Sequence, residues 1–411
     1  MRKIYNSIDI GTNEIKVVTI EQFNDKYNVL ASSSVKSAGV KKGLITDATL
    51  VTNAIKRAVK SAESKLGSKI DKILAIVPSN NIEIEVVTGK IKINNEDNII
   101  TGSDIFSCLN NAIKDNVRTD MEVVSVSPVE FKIGTDKKIK NPLGLEGKDL
   151  AVRAVMSMVP KKNVYSVVSV LESLNIEVID VCFSSISDYY VAKTKDLDEK
   201  IIAMVNIGES KTNIAVFNKG VIIKDSNLPI GGLNIDNDIS FSYKTNLDKS
   251  KEIKETFAVS NRKYADSGEV MECINRLDEK IEINQYRIAE LVEARIKDIL
   301  KNIKNELNSL TNKEIQYIII TGGITSMLGF SAIVEEVFPK NADVISTGLI
   351  GIRDNKYSSS YGIIKYFQEK LDMREKDYSM FSGDKIEDIV TTNKKIGQNN
   401  VLSKIFEKIF E

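Results

Sequence analysis

Asp9-Ile-Gly-Thr-Asn-Glu-Ile-Lys-Val-Val-Thr-Ile20 reads as the end of one apolar strand, a polar turn with Gly11 two residues after the acid, and a second apolar strand. The same plan returns at Asn206-Ile-Gly-Glu-Ser-Lys-Thr-Asn-Ile-Ala-Val-Phe217. Strands joined this tightly form a β-hairpin, and such a turn can present backbone N–H groups and small hydroxyls to an anion. A third turn, Thr321-Gly322-Gly323-Ile324, follows the apolar run Ile315–Ile320. One polar hairpin turn alone is better explained as an ordinary hairpin with a polar turn. Three in this order, at strand ends of two α/β halves, point to nucleotide binding.

A nucleoside triphosphate with Mg²⁺ needs dense short-range donors and one or two carboxylates that hold the metal through its waters. In the first turn Gly11, Thr12 and Asn13 are the phosphate donors, Lys16 supplies a point charge and Asp9 is the expected Mg²⁺-water holder. The second turn offers Gly208, Ser210, Lys211 and Thr212, with Asn206 in the place of a second metal-side carboxylate. In the third, Gly322 and Gly323 let backbone lie against a purine or ribose, and Ile324 and Met327 complete the base side.

Composition narrows the field. The 411 residues are enough for two or more domains with separate cores. Lys+Arg and Asp+Glu both number 57, so no global field favours nucleic acid. With no His anywhere, His-based acid–base chemistry, Ser–His triads and His-ligated zinc are excluded. Cys108, Cys182 and Cys273 have no metal or disulfide spacing and read as reduced, buried thiols of a cytosolic protein. No signal-peptide pattern opens the chain, and no apolar run approaches the roughly 18–20 residues of a membrane span.

Along the chain, strands are expected at Ile4–Ile10, Ile15–Ile20, Tyr27–Val35 and Lys72–Val77. An amphipathic helix is expected near Ala48–Ser64, with Leu50, Ala54, Ile55, Ala58 and Val59 on its stripe. From about Ile82 the pattern changes to β segments (Ile82–Val87, Lys90–Ile93, Glu122–Ile133) around a helix at Ser103–Asn116, a compact insertion ending at Pro160. The second half opens at Lys200. A polar, mostly helical segment follows to Leu310, broken by the Asn261–Glu269 loop. Residues 371–398 are charged, lack apolar periodicity and read as a linker. In the last residues Val401, Leu402, Ile405, Phe406, Ile409 and Phe410 fall on one helical stripe, with Lys404 and Lys408 among the polar residues opposite. A helix of twelve residues is about 18 Å long, too short to span a bilayer and suited to lie in its interface.

These features resemble the actin-like ATPase superfamily and, within it, the FtsA family of bacterial cell-division proteins. Asp9–Lys16 resembles the phosphate-1 loop, Asn206–Asn213 phosphate-2 and Thr321–Phe330 the adenosine motif; Val35–Asp47, Asn141–Gly147 and Leu228–Gly232 are similar to more family-specific stretches. The resemblance implies a two-lobed, duplicated ribonuclease H-like α/β fold: subdomain 1A (1–82, 161–199 and 346–370), inserted 1C (83–160), 2A (200–233 and 311–345) and 2B (234–310). It also implies a linker (371–398) and a membrane-targeting helix (399–411). The expected function is an ATP- and Mg²⁺-binding protein that forms actin-like protofilaments on the cytoplasmic membrane at the division septum. It would anchor the FtsZ ring there and recruit other division proteins. Arg287, Arg295 and Lys297 of 2B would meet the FtsZ tail, while the other reading of each is a solvated helix face. Competing readings are a PilM-like pilus assembly adaptor, an actin-fold sugar kinase and a shape-maintaining MreB-like filament.

The chain departs from the family pattern in places. Asn206 replaces an Asp, Glu209-Ser-Lys-Thr212 replaces a glycine-rich run, and Lys251, Glu252 and Lys254 replace the usual order of acid and base on the adenine-side helix. Near Phe183–Ser187 no Gln or Glu is present to orient an attacking water. Nucleotide binding with slow hydrolysis at most is the expectation.

Overall fold

The computed structural model describes residues 2–24, 26–134, 137–339 and 341–398. The chain begins with β1 (Lys3–Ile10), β2 (Glu14–Phe23) and β3 (Lys26–Lys36), then a short ladder of β4 (Val40–Lys41) and β5 (Leu44–Ile45). Helix α1 (Ala48–Leu66) starts where the Asp47 carboxylate accepts from the Leu50 N–H and stops at Gly67, whose φ of 74° only glycine adopts cheaply. Its buried stripe is Val51, Ala54, Ile55, Ala58, Val59, Ala62 and Leu66. Leu50, expected on that stripe, is exposed, because the face is set by the later turns of the helix and Val51 takes the inward place in the first.

After β6 (Lys72–Val77) comes the insertion: β7 (Glu83–Lys92), α2 (Gly102–Ile113), β8 (Met121–Ile133), β9 (Lys137–Ile139) and β10 (Asp149–Pro160). It makes its own antiparallel sheet in the order β7-β10-β8-β9, with a core that includes Ile105, Cys108, Phe131, Leu150 and Met156. The two expected strands at Ile82–Val87 and Lys90–Ile93 are one. Gly89 is not a turn; it continues the strand so that α2 can pack closely, and a Cβ there would lie 2.5 Å from the Cys108 carbonyl. The Asn141–Gly147 motif, just before β10, is bonded to Asn98–Ile100, just before α2. Ile100 donates to Leu145 O, and Gly144 and Gly147 donate to Ile100 O and Asn98 O.

The chain continues through α3 (Lys161–Glu172), β11 (Glu177–Phe183) and α4 (Ser184–Ala192) to β12 (Ile201–Ile207), β13 (Thr212–Asn218) and β14 (Val221–Leu228). Then follow α5 (Gly232–Tyr243), α6 (Leu247–Thr256), the hairpin of β15 (Val270–Ile274) and β16 (Lys280–Asn284), and α7 (Gln285–Leu310). This hairpin was unexpected in a segment read as helices and a loop. Its strands are five residues each and mostly exposed, so period-2 burial leaves little trace in the sequence. The described part of the chain ends with β17 (Tyr317–Thr321), α8 (Phe330–Val337), β18 (Ala342–Val344), α9 (Ser358–Met373) and α10 (Gly383–Gln398).

Two compact units result. The first comprises the described residues up to Ser187, Gly348–Arg353 and those from Ser359 onward; the second comprises Asp188–Thr347 and Asp354–Ser358. Each is built on a five-stranded sheet of one topology: β3-β2-β1-β6-β11 in the first and β14-β13-β12-β17-β18 in the second. In each, three strands form an antiparallel meander and two more add in parallel beside its first strand. The fold is thus two-lobed α/β with a duplicated sheet and an inserted subdomain. In the second unit, alternate residues Ala203, Val205 and Ile207 of β12 join Ile214, Val216 and the α7 stripe in one core.

The expectation of a flexible linker over 371–398 meets a different finding. Strand β6 pairs with β1 only at Ser7 and Ile8, leaving the start of β1 in need of backbone partners. Ser379 and Met380 supply them: Ile4 N–H donates to Ser379 Oγ (3.0 Å) and Met380 N–H donates to Ile4 O (3.0 Å). Met380, Phe381, Ile386 and Ile389 are buried. Surrounding charge masks these few apolar residues from a periodicity reading. The expected helix at 399–411, with Val401, Leu402, Lys404, Ile405, Phe406, Lys408, Ile409 and Phe410, lies outside the described residues. Among the described residues no helix is long and apolar enough to cross a membrane.

Candidate functional site

The two duplicated turns have the same construction. In the first unit the ladder ends at Ile10 and Ile15, leaving the four-residue loop Gly11–Glu14, closed by Gly11 N–H donating to Glu14 O at 3.1 Å. In the second it ends at Ile207 and Thr212, leaving Gly208–Lys211, closed by Gly208 N–H donating to Lys211 O at 3.0 Å. Both glycines are required by closeness: a Cβ would lie 2.8 Å from Glu14 O at Gly11 and 2.9 Å from Lys211 O at Gly208.

Beside the first loop, Asp9 and Lys16 pair across the strands with Nζ 2.6 Å from Oδ2. Both side chains are mostly buried yet reach the surface. The loop is braced by the stretch Val35–Asp47: Ser37 N–H donates to Asn13 O, and Gly43 N–H donates to Thr12 Oγ1 at 3.0 Å. Gly39, at φ 76°, accepts from the Thr46 and Asp47 amides, which shapes this brace before α1 begins.

The second loop is braced by Leu228–Gly232. The Gly232 N–H donates to Gly208 O (2.9 Å) and the Leu233 N–H to Glu209 O (2.8 Å), so the start of α5 sits against the loop's carbonyls. A Cβ on Gly231 would fall 2.4 Å from Gly208 O, which explains the paired glycines. Gly208, Ser210 and Lys211 are partly exposed. Thr212 is not: it is fully buried and its hydroxyl donates to Ile230 O at 2.8 Å, an internal tie.

The basic residues of α6 divide likewise. Lys254 is buried, its ammonium 2.7 Å from Asp236 and within 3.3 Å of Gly232 O, so its charge is consumed inside the unit. Burial raises the Asp236 carboxyl above its ordinary range against the pull of Lys254. Lys251 faces the second loop, 3.7 Å from Glu209, whose carboxyl burial also pushes up while Lys251 opposes it. Glu252 is exposed and pairs with Lys249.

At the third turn Gly322 adopts φ 108°, and a Cβ there would meet Ile207 O at 2.3 Å. The turn therefore packs directly on the strand that leads into the second loop. Gly323 is exposed; Ile324 is buried in the unit's core and Met327 packs partly against it. Ile324 thus serves the core and Met327 leans on it. Asn355 Nδ2 donates to Thr325 Oγ1 at 2.7 Å and holds the turn from behind.

Asn206 is partly exposed near the end of β12, and its Nδ2 donates to the Asp188 carboxylate at 2.6 Å. Asp188 was not anticipated. Its signal was a lone acid in the otherwise uncharged Ser184–Ala192, which becomes informative only once the fold places that acid beside Asn206. The expected partner residues on α7 differ in availability. Arg295 is engaged by Asp238 (2.5 Å) and Asp298, and Lys297 by Glu293 and Glu336, whereas Arg287 is exposed with Glu290 beside it.

The three cysteines are free and buried. Among the described residues no group of three or more metal-ligating side chains occurs. For a nucleotide with Mg²⁺ the first loop fits as a donor set, as do the outer residues of the second; Thr212 and Lys254 do not, because their polar groups are spent internally.

Two family models match the chain: "Cell division protein FtsA" over residues 203–362 and "SHS2 domain inserted in FTSA" over 79–157, together more than half of it. The cell division protein FtsA of Bacillus subtilis (strain 168) is 28% identical over 366 residues, covering 89% of this chain and 83% of that protein. The PilM–PilN type IV pilus biogenesis complex aligns with a TM-score of 0.60 at 11% identity, over 90% of this chain and 99% of the other. MreB5 of Spiroplasma citri bound to ADP aligns at 0.55 and 11%, over 91% and 99%. At such identities the two structures show a common fold alone.

Proposed function

Because the chain belongs to the FtsA family of cell-division proteins in the actin-like ATPase superfamily, we propose that it binds ATP with Mg²⁺, forms actin-like protofilaments and anchors the FtsZ ring to the cytoplasmic membrane. The observation that supports nucleotide binding best is the repeated four-residue loop, closed by the same glycine bond in both sheets. In this reading Gly11, Thr12, Asn13 and Lys16 hold phosphate oxygens from one loop, and Gly208, Ser210 and Lys211 from the other. Asp9 holds magnesium through its waters, with Asn206 as a neutral acceptor on the second side. Gly322, Gly323 and Met327 border the base, with Lys251 and Glu252 on the α6 side. ATP with its metal would supply the bound charge, and the residues' work is to hold it.

Hydrolysis is at most slow. No histidine exists, and no carboxylate or amide of Phe183–Ser187 can orient a water. Of the three expected cations of α7, Arg287 is the best exposed to meet an acidic FtsZ tail, and residues 399–411 would lie in the membrane interface. The decisive experiment is sedimentation of the full chain with anionic vesicles, ATP and Mg²⁺, with and without FtsZ. Recruitment of FtsZ to the vesicle pellet only when the full chain is present is expected. FtsZ left in the supernatant, with the chain itself pelleted, would refute the anchoring role.

A further inference from the structure

The Asn206 amide has two ends, and they are not equivalent to its surroundings. Asp188 is 1% exposed, and its carboxylate is an acceptor, so only the NH2 end of Asn206 can face it at 2.6 Å. The Oδ1 end is thereby presented on the opposite side. Asp188 itself is held firmly. Its neighbour Tyr189 stacks on Phe217 of β13, rings 4.5 Å apart and 11° from parallel, and the Tyr189 hydroxyl bonds the Asp198 carboxylate. That stack lies on the face of the second sheet that carries Ile202, Met204 and Asn206, opposite the Ala203–Val205–Ile207 core.

We propose that Asp188 is a positioning residue for the metal side of the second loop, locking Asn206 so that its carbonyl oxygen faces the magnesium waters. In effect the acid that the family pattern places at 206 stands behind the amide instead, at position 188 on α4. A neutral acceptor at the front, held by the acid behind it, still turns an oxygen toward the cation, because the amide group that faces Asp188 is the NH2 end. This rests on the nucleotide-binding reading above. It also makes the pair exchangeable: carboxylate and amide should work in either order but not as two carboxylates. Two acids at this separation repel, and one must take a proton.

The test compares wild type, Asp188→Asn, Asn206→Asp and the exchanged pair Asp188→Asn/Asn206→Asp in the full chain. Calorimetry measures ATP affinity with Mg²⁺ and with EDTA, and thermal unfolding is followed without nucleotide. Asp188→Asn should lose about tenfold or more of the magnesium-dependent gain in ATP affinity, while binding in EDTA stays within about twofold, as for supports behind metal-side ligands. Asn206→Asp should lower Tm, and the exchanged pair should recover both Tm and the magnesium gain. An Asp188→Asn protein with the full magnesium gain, or an exchanged pair no better than Asn206→Asp, would overturn the positioning role while leaving ATP binding intact. Wild type that gives no heat with ATP and Mg²⁺ would instead bring down the nucleotide reading and this role together.

Discussion

Lys16 and Asp9 sit opposite each other across β1 and β2, with Lys16 Nζ 2.6 Å from Asp9 Oδ2 beside the Gly11–Glu14 loop. In the proposed nucleotide site, opposite charges held together beside this loop can each take a new partner, the ammonium a phosphate and the carboxylate a hydrated cation. Lys16→Met should therefore weaken ATP binding about 10–100-fold, the range for losing a charge-assisted hydrogen bond. Asp9→Asn should weaken it only when Mg²⁺ is present. Calorimetry in Mg²⁺ and in EDTA distinguishes the two, and a Lys16→Met protein with wild-type affinity would remove the first loop from the site.

Gly322 carries a different risk. At φ 108° it is in a region that side chains rarely enter, and the Ile207 carbonyl occupies the space a Cβ needs. Gly322→Ala should destabilise the second unit by about 2–4 kcal/mol, combining backbone strain with overpacking. Since Ile207 immediately precedes the second loop, ATP affinity should fall as well. The adjacent Gly323 is exposed with nothing closer than the Lys356 Cβ at 3.8 Å, so Gly323→Ala is the matched control and should leave Tm nearly unchanged.

The fold was legible because its decisive features are local. Both hairpins, the glycine turns and the α1 periodicity come from neighbours in sequence, and the duplication of Asp9–Ile20 at Asn206–Phe217 exposes the two lobes. What sequence could not give were relations between distant residues. Asp188 acquires its meaning only from Asn206, and Lys254 reads as a ligand until Asp236 is found against it. The hairpin Val270–Asn284 stayed hidden because only one face of two short strands is covered. Thr212 looked like a phosphate donor by spacing, yet strand alternation turned its hydroxyl inward to Ile230.

Acid should act on the second unit through Glu293. Burial pushes this carboxyl up, but the Arg262 amide and the Lys297 and Arg262 side chains outweigh it and hold the group at about 2, below the ordinary 4.5. A value lowered on folding means stability that is complete above pH 4.5 and is lost as pH falls toward 2. Glu293→Gln should thus destabilise the protein at pH 7 by on the order of 2–3 kcal/mol. The difference from wild type should narrow steadily below pH 4.5. Urea unfolding from pH 7 to pH 3 measures it; a gap that does not change with pH would show that packing, and not charge, explains the loss.

The C-terminal segment separates two roles that a linker reading merges. Lys3 pairs with Asp377 at 2.5 Å, the Tyr5 hydroxyl donates to Tyr378 O, and Ser379 and Met380 complete the backbone bonds of Ile4. Four buried apolar side chains, Met380, Phe381, Ile386 and Ile389, follow. At about 1.5–3 kcal/mol for each such side chain fully buried, less what ordering the segment costs, this is a part of the first unit's stability. A chain ending at Lys376 should therefore lose several degrees of Tm, and Ile386→Ala/Ile389→Ala should reproduce part of that loss. A chain ending at Gln398 should keep the wild-type Tm and yet fail to pellet with anionic vesicles, since only residues 399–411 carry the interfacial stripe. If the chain ending at Gln398 pelleted as fully as wild type, the membrane contact would have to come from elsewhere on the protein. If the chain ending at Lys376 melted with wild type, the pairing of Ile4 with Ser379 and Met380 would contribute nothing to the sheet it borders.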